Sequence, residues 1–163
     1  MKINYLIDGF NLGFKDSAIA EYLRKGDTSR AIDMIIRRVR LYVAKAGRII
    51  VVFDGKKAVL AQPARFAGIE IIFSQKPQSA DDIIRQKLRN LDDTSAWIVV
   101  SSDHEIINTA KDLGAGVLRS EELLKTGTSE ISSKGKTGNE KKYNPTDINV
   151  DYWLEQFKRG NDE

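Results

Sequence analysis

Apolar positions along the chain follow two alternating rhythms. Short apolar runs of strand type recur at Lys2–Ile7 (Ile3, Tyr5, Leu6, Ile7), Arg48–Phe53, Ile69–Phe73, Trp97–Val100 and, more briefly, Val117–Leu118. Runs without polar interruption, such as Ile49 to Phe53, suit strands covered on both faces. Between them the spacing turns helical. Thr28 or Ser29 is placed to cap a long helix whose apolar positions Ile32, Ile35, Ile36, Val39 and Val43 keep the i, i+3, i+4, i+7 rule, with Gly47 as its stop. Arg37, Arg38, Arg40 and Lys45 fall on its polar side. Ser79 heads a second helix to about Leu91, with Ile83, Ile84, Leu88 and Leu91 inward. A third spans Asp103–Leu113 and closes at Gly114, and Ser120-Glu121-Glu122 opens a brief helical turn. Pro63 and Gly68 mark a loop before the run at Ile69.

Strands alternating with helices predict an α/β domain: a mostly parallel central sheet with helices on both faces, over residues 1–124. From 125 to 149 Gly, Ser, Thr and Lys dominate, the composition of a flexible linker. Residues 150–159 then read as a short amphipathic helix. Its stripe of Val150, Trp153, Leu154 and Phe157 is expected to dock on the chain's own domain, on a partner or on a second protomer.

Composition removes several chemistries. The 163 residues include no cysteine, which excludes disulfide scaffolds, thiol catalysis and Cys-based metal sites. The single histidine, His104, builds no His-rich site and reads as a helix-surface residue. No apolar run approaches the ~20 residues of a bilayer span, and the N-terminus reads as a strand rather than a signal peptide, so the expected compartment is the cytoplasm. Net charge is only +3. The excess lies in residues 1–124, with 19 Lys and Arg against 16 Asp and Glu, while the remainder balances at 7 of each. An acidic pocket in a basic surround suits a metal-dependent enzyme acting on a polyanion.

Four acids stand where a strand stops or a helix starts: Asp8, Asp54, Asp81 or its neighbour Asp82, and Asp103. In open α/β sheets the carboxyl ends of the strands share one edge, where ligands bind. Carboxylates converging there repel one another unless a cation compensates them. Oxygen donors without His or Cys select hard ions, Mg²⁺ or Mn²⁺. The plain alternative is that each acid is a turn residue or a helix cap. Asn11 and the Ser101-Ser102 pair lie beside these acids, placed to orient a carboxylate or meet a phosphate. Lys56, Lys57, Lys76 and Arg85 lie near the same edge and suit neighbouring phosphates.

These residues resemble the NYN domain, and more closely its YacP-like branch, within the PIN-like ribonuclease superfamily. The matching pieces are Tyr5-Leu6-Ile7-Asp8-Gly9-Phe10-Asn11, Val51-Val52-Phe53-Asp54-Gly55, Ser79-Ala80-Asp81-Asp82-Ile83-Ile84 and Val99-Val100-Ser101-Ser102-Asp103. Ser120-Glu121-Glu122-Leu123 after the final strand also matches that branch. The resemblance covers about residues 2–124, and departs from the usual family tyrosine at Phe10. It implies a metal-dependent endoribonuclease. Asp8, Asp81 and Asp103 would hold one or two Mg²⁺ or Mn²⁺ ions, with Asp54 as a fourth ligand or a support behind them. Asp81 rather than Asp82 matches the family's acid. Asn11 and Ser102 would position the phosphate, leaving a 5′-phosphate and a 3′-hydroxyl. The implied partner is RNA, free or presented in a ribonucleoprotein.

Three other readings compete. A binding module of the same fold would recognise RNA without cutting it, but gains nothing from buried negative charge. A receiver-like signalling domain would suit Asp54 as phospho-acceptor, yet Val117-Leu118 leads to Arg119-Ser120 instead of the expected Lys. A phosphatase lacks its Asp-x-Asp pair after the first strand, and no Gly-x-x-x-x-Gly-Lys loop is present for NTP hydrolysis.

Overall fold

The computed structural model describes residues 2–55, 64–66 and 68–126. Lys56, Lys57, the 125–149 linker beyond residue 126 and the Val150, Trp153, Leu154, Phe157 stripe lie outside the described residues. Strand β1 (Asn4–Asp8) is followed by helices α1 (Gly9–Lys15), α2 (Ser17–Arg24) and α3 (Thr28–Tyr42), then by β2 (Ile49–Phe53). A hairpin of β3 (Ala64–Phe66) and β4 (Ile69–Phe73) leads to α4 (Ala80–Asn90), β5 (Trp97–Val100), α5 (His104–Asp112) and β6 (Gly116–Leu118). Residues 120–126 form a last described helix, α6.

The sheet has the order β3-β4-β2-β1-β5-β6. Five strands run parallel, and only β3 pairs antiparallel, with β4. The expected α/β architecture is what the chain adopts. Strand alternation sorts the core into two layers. Ile7, Val51, Phe53, Ile71 and Val100 face α1–α3 and meet Leu12, Ile19, Ile32, Ile35, Ile36 and Val39. Leu6, Ile50, Val52 and Val99 face the other way, onto Ala80, Ile84 and Leu88 of α4 and Ile106 and Ala110 of α5. Leu123 of α6 returns to the first layer.

The chain leaves β1 toward β2 and β4, then crosses back to β5 and β6. The carboxyl ends of β1 and β5 therefore flank the point where strand order reverses, the usual ligand crevice of such sheets. No described helix is long and apolar enough to cross a membrane.

Candidate active site

Each acid at this edge is delivered by a local rule of chain geometry. Asp8 is the last residue of β1 and follows Leu6 in the strand alternation, so its carboxylate leaves the sheet on the α4–α5 side. Only 7% of it is exposed. Gly9 lets α1 start at once: a Cβ there would overlap the ring of Phe53. Asp103 caps α5, its Oδ1 accepting from the N–H groups of Glu105 at 2.9 Å and Ile106 at 3.2 Å. Ser79 and Asp82 form a reciprocal capping box at the start of α4. That box, with Arg85 at 3.0 Å, occupies Asp82 and holds its carboxyl below the usual range. Asp81, one residue earlier, is left to face the other two acids.

Three carboxylates feel one another here. Burial first, then the Asp81 charge and more weakly that of Asp103, raise the Asp8 pKa from 3.8 to about 7. The Ser101 hydroxyl, donating to Asp8 Oδ2 at 3.2 Å, and the Asn11 N–H offset part of this, the latter without a full capping bond. Asp81 is also raised, by burial and then by Asp103, while Arg85 pulls it down. Arg85 spans the mouth between α4 and α5, from Asp82 to Glu105 at 3.6 Å. Among the described residues, however, no three acids or imidazoles stand close enough to form a ready metal cage.

Asp54 is half-buried just past β2, and its Oδ1 accepts from the Ser74 hydroxyl at 3.1 Å. That bond ties it to the end of β4, whereas the charges acting on Asp8 come from Asp81 and Asp103. Lys76 is exposed in the turn after β4, and His104 is exposed at the start of α5.

A second polar cluster adjoins the acids. Asn11 Oδ1 accepts from Ser102 N at 2.9 Å and from the Ser120 hydroxyl at 2.7 Å. The Ser102 hydroxyl donates to Glu121 Oε2 at 2.9 Å and accepts from Ser120 N at 3.3 Å. Glu121 Oε1 pairs with Lys15 at 3.2 Å. Burial opposes the Glu121 charge, but its own N–H, Ser102 and Lys15 outweigh burial and lower its pKa. Asn11 and Ser102, expected to meet substrate, thus spend the Asn11 carbonyl and the Ser102 hydroxyl on joining loops. Glu121 and Lys15 were not expected in this role. The signal was available, since Glu121 follows β6 as Asp103 follows β5, at the same sheet edge.

The family model of the YacP-like NYN domain matches residues 5–159. The chain belongs to that family. Its NYN domain is similar in fold to the crystal structure of Rae1 (YacP) from Bacillus subtilis, with a TM-score of 0.63 and 23% identity over 99% of this chain and 97% of that one. A tryptophan-to-leucine mutant of Rae1 gives the same TM-score at 20% identity, over 98% of this chain and 96% of that one. No curated protein matches. Membership places the NYN domain on a PIN-like nuclease fold, with the acid-bearing turns of β1 and β5 at the crevice between these strands.

Proposed function

We propose that this NYN domain is a metal-dependent endoribonuclease, cutting RNA to leave 5′-phosphate and 3′-hydroxyl ends. The observation that carries the proposal is the convergence of Asp8, Asp81 and Asp103, from three separate elements, at the switch point of the sheet. The donor set fits a hard divalent cation, Mg²⁺ or Mn²⁺. It is all oxygen, and its buried member is kept from ionising first by burial and then by neighbouring charges that a cation would neutralise. Asp8, Asp81 and Asp103 would hold the ion, with Asp54 in support. Such an ion, when bound, lowers the pKa of a water and stabilises charge on the leaving oxygen.

The chain's own residues do the rest. Ser101 holds Asp8 in place, and the α5 cap holds Asp103 while Asp103 N donates to Ser101 Oγ at 3.1 Å. Arg85 and Lys76 supply positive charge for flanking phosphates. The Asn11 side-chain N–H₂, which has no partner among the described residues, is left to meet a phosphate oxygen beside Asp8. Access of RNA from the cytoplasm, free or within a ribonucleoprotein, belongs to the same proposal.

One observation favours a second reading, an RNA-binding module that does not cut: the absence of a ready cage among the described acids. Incubating the protein with structured and unstructured RNAs, with and without Mn²⁺, separates the two. Mn²⁺-dependent fragments with 5′-phosphate ends are expected. Binding without fragments, unchanged by Asp8→Asn, would leave the module.

A further inference from the structure

We infer that Glu121 is a positioning residue: by gripping the Ser102 hydroxyl from the start of α6, it fixes the turn that presents Asp103 and Asp8 to a divalent cation. This deepens the nuclease reading and rests on it.

The turn at Ser101-Ser102-Asp103 contains one of the three acids, Asp103, and hydrogen-bonds a second, Asp8, through Ser101. Ser101 Oγ donates to Asp8 and accepts from Asp103 N, so any shift of this turn moves both. Ser101 is fully buried and anchored through its N–H to Leu118 O at 3.2 Å. Ser102 is the next handle. Its N–H goes to Asn11 Oδ1, and its hydroxyl to Glu121 Oε2, leaving the hydroxyl oxygen to accept from Ser120 N. An anionic acceptor makes the stronger hydrogen bond and fixes which way that hydroxyl points. Lys15 at the end of α1 restrains the other oxygen of Glu121. Helix α1, the turn after β5 and the start of α6 are thereby tied to one another. Residues that orient ligands in this way typically change metal affinity by roughly 10–100-fold when removed.

The test compares Glu121→Ala, Glu121→Gln and a control, Glu122→Ala, in the full chain. Glu122 accepts from Arg119 N at 3.2 Å in the same turn, whereas the Ser102 hydroxyl goes to Glu121. Mn²⁺ affinity is read by calorimetry, and RNA cleavage by steady-state kinetics. Glu121→Ala should weaken Mn²⁺ binding about tenfold and lower kcat with little change in KM. Glu121→Gln keeps an oxygen for the Ser102 hydroxyl and should recover most of both. Glu122→Ala should lower Tm and leave Mn²⁺ affinity alone. Wild-type Mn²⁺ affinity in Glu121→Ala, or a Gln variant as defective as the Ala variant, overturns the positioning role. If Mn²⁺ affinity depends on Glu121 but the wild-type chain cuts no RNA, the nuclease reading fails and the positioning stands. Wild-type cleavage with Mn²⁺ affinity indifferent to Glu121 refutes the positioning alone.

Discussion

Burial and the charges of Asp81 and Asp103 hold Asp8 protonated up to about pH 7, against 3.8 for the free carboxyl. Between those two values the folded chain binds a proton that the unfolded chain has lost, so stability falls as pH rises through that window. The full difference corresponds to about 4 kcal/mol. Asp81, also raised, adds to the same trend. Asp82 and Glu121 are lowered instead, and their contribution is lost only as pH falls below the ordinary carboxylate range. The metal-free protein should therefore melt several degrees lower at pH 8 than at pH 5.5. Asp8→Asn should melt higher than wild type at pH 8 and show a flatter profile. Thermal melts in EDTA across that range check this, and a wild-type Tm that climbs with pH would refute it. At the same scale, Gly9→Ala should cost roughly 1–3 kcal/mol, because the added Cβ overlaps a Phe53 ring that has no exposed surface into which to retreat. Denaturant melts measure that loss directly.

The element starts decide which of these acids are free for chemistry, and they divide them unequally. Asp103 serves α5 as its cap, and asparagine is an equally good cap residue. Asp103→Asn should thus keep folding stability within about 0.5 kcal/mol of wild type while cleavage falls by orders of magnitude; a loss of folding equal to the loss of activity would point to a purely structural acid. Ser79→Ala opens the α4 box and should cost about 1 kcal/mol, read in Tm. These caps were legible in the sequence, because Ser79 and Asp103 sit immediately before apolar helical spacing. So were the parallel strands, since Ile49–Phe53 and Trp97–Val100 are apolar runs of the right length. Helices α1 and α2 were not, since Gly9 and Gly13 in a seven-residue helix conceal the pattern, and their packing against α3 supplies what propensity lacks. The true cap of α3 is Asp27, one residue before the expected Thr28, through Arg30 N at 3.4 Å. Strand β3 has only three residues and no apolar run, so its pairing with β4 is a tertiary fact. The grip of Glu121 on Ser102 is another, between residues 19 apart in the chain.

Across the whole molecule the acids are held by three elements that are separate in sequence: β1, the first turn of α4 and the start of α5. A cation bound among them would link the second core layer, where α4 and α5 pack on Leu6, Ile50, Val52 and Val99, to the end of β1. It would bind the folded chain alone, because the unfolded chain does not bring these acids together. Stability must then rise with ligand, by about 2.7 kcal/mol when Mn²⁺ is at 100 times its Kd. The pH dependence has a definite sign. As a ligand, Asp8 would have to lose its proton to accept the ion, and that proton is held up to about pH 7. Mn²⁺ should consequently raise Tm more at pH 8 than at pH 6, reversing the decline that the metal-free chain shows over the same range. Asp8→Asn, which has no proton to lose and one anionic donor fewer, should gain less than wild type at either pH and show no pH trend in the gain. Differential scanning fluorimetry with EDTA and with Mn²⁺ at both pH values measures all four cases. Equal gains in wild type and Asp8→Asn would put the ion elsewhere than on Asp8, and equal wild-type gains at pH 6 and pH 8 would mean that no buried proton is displaced when it binds.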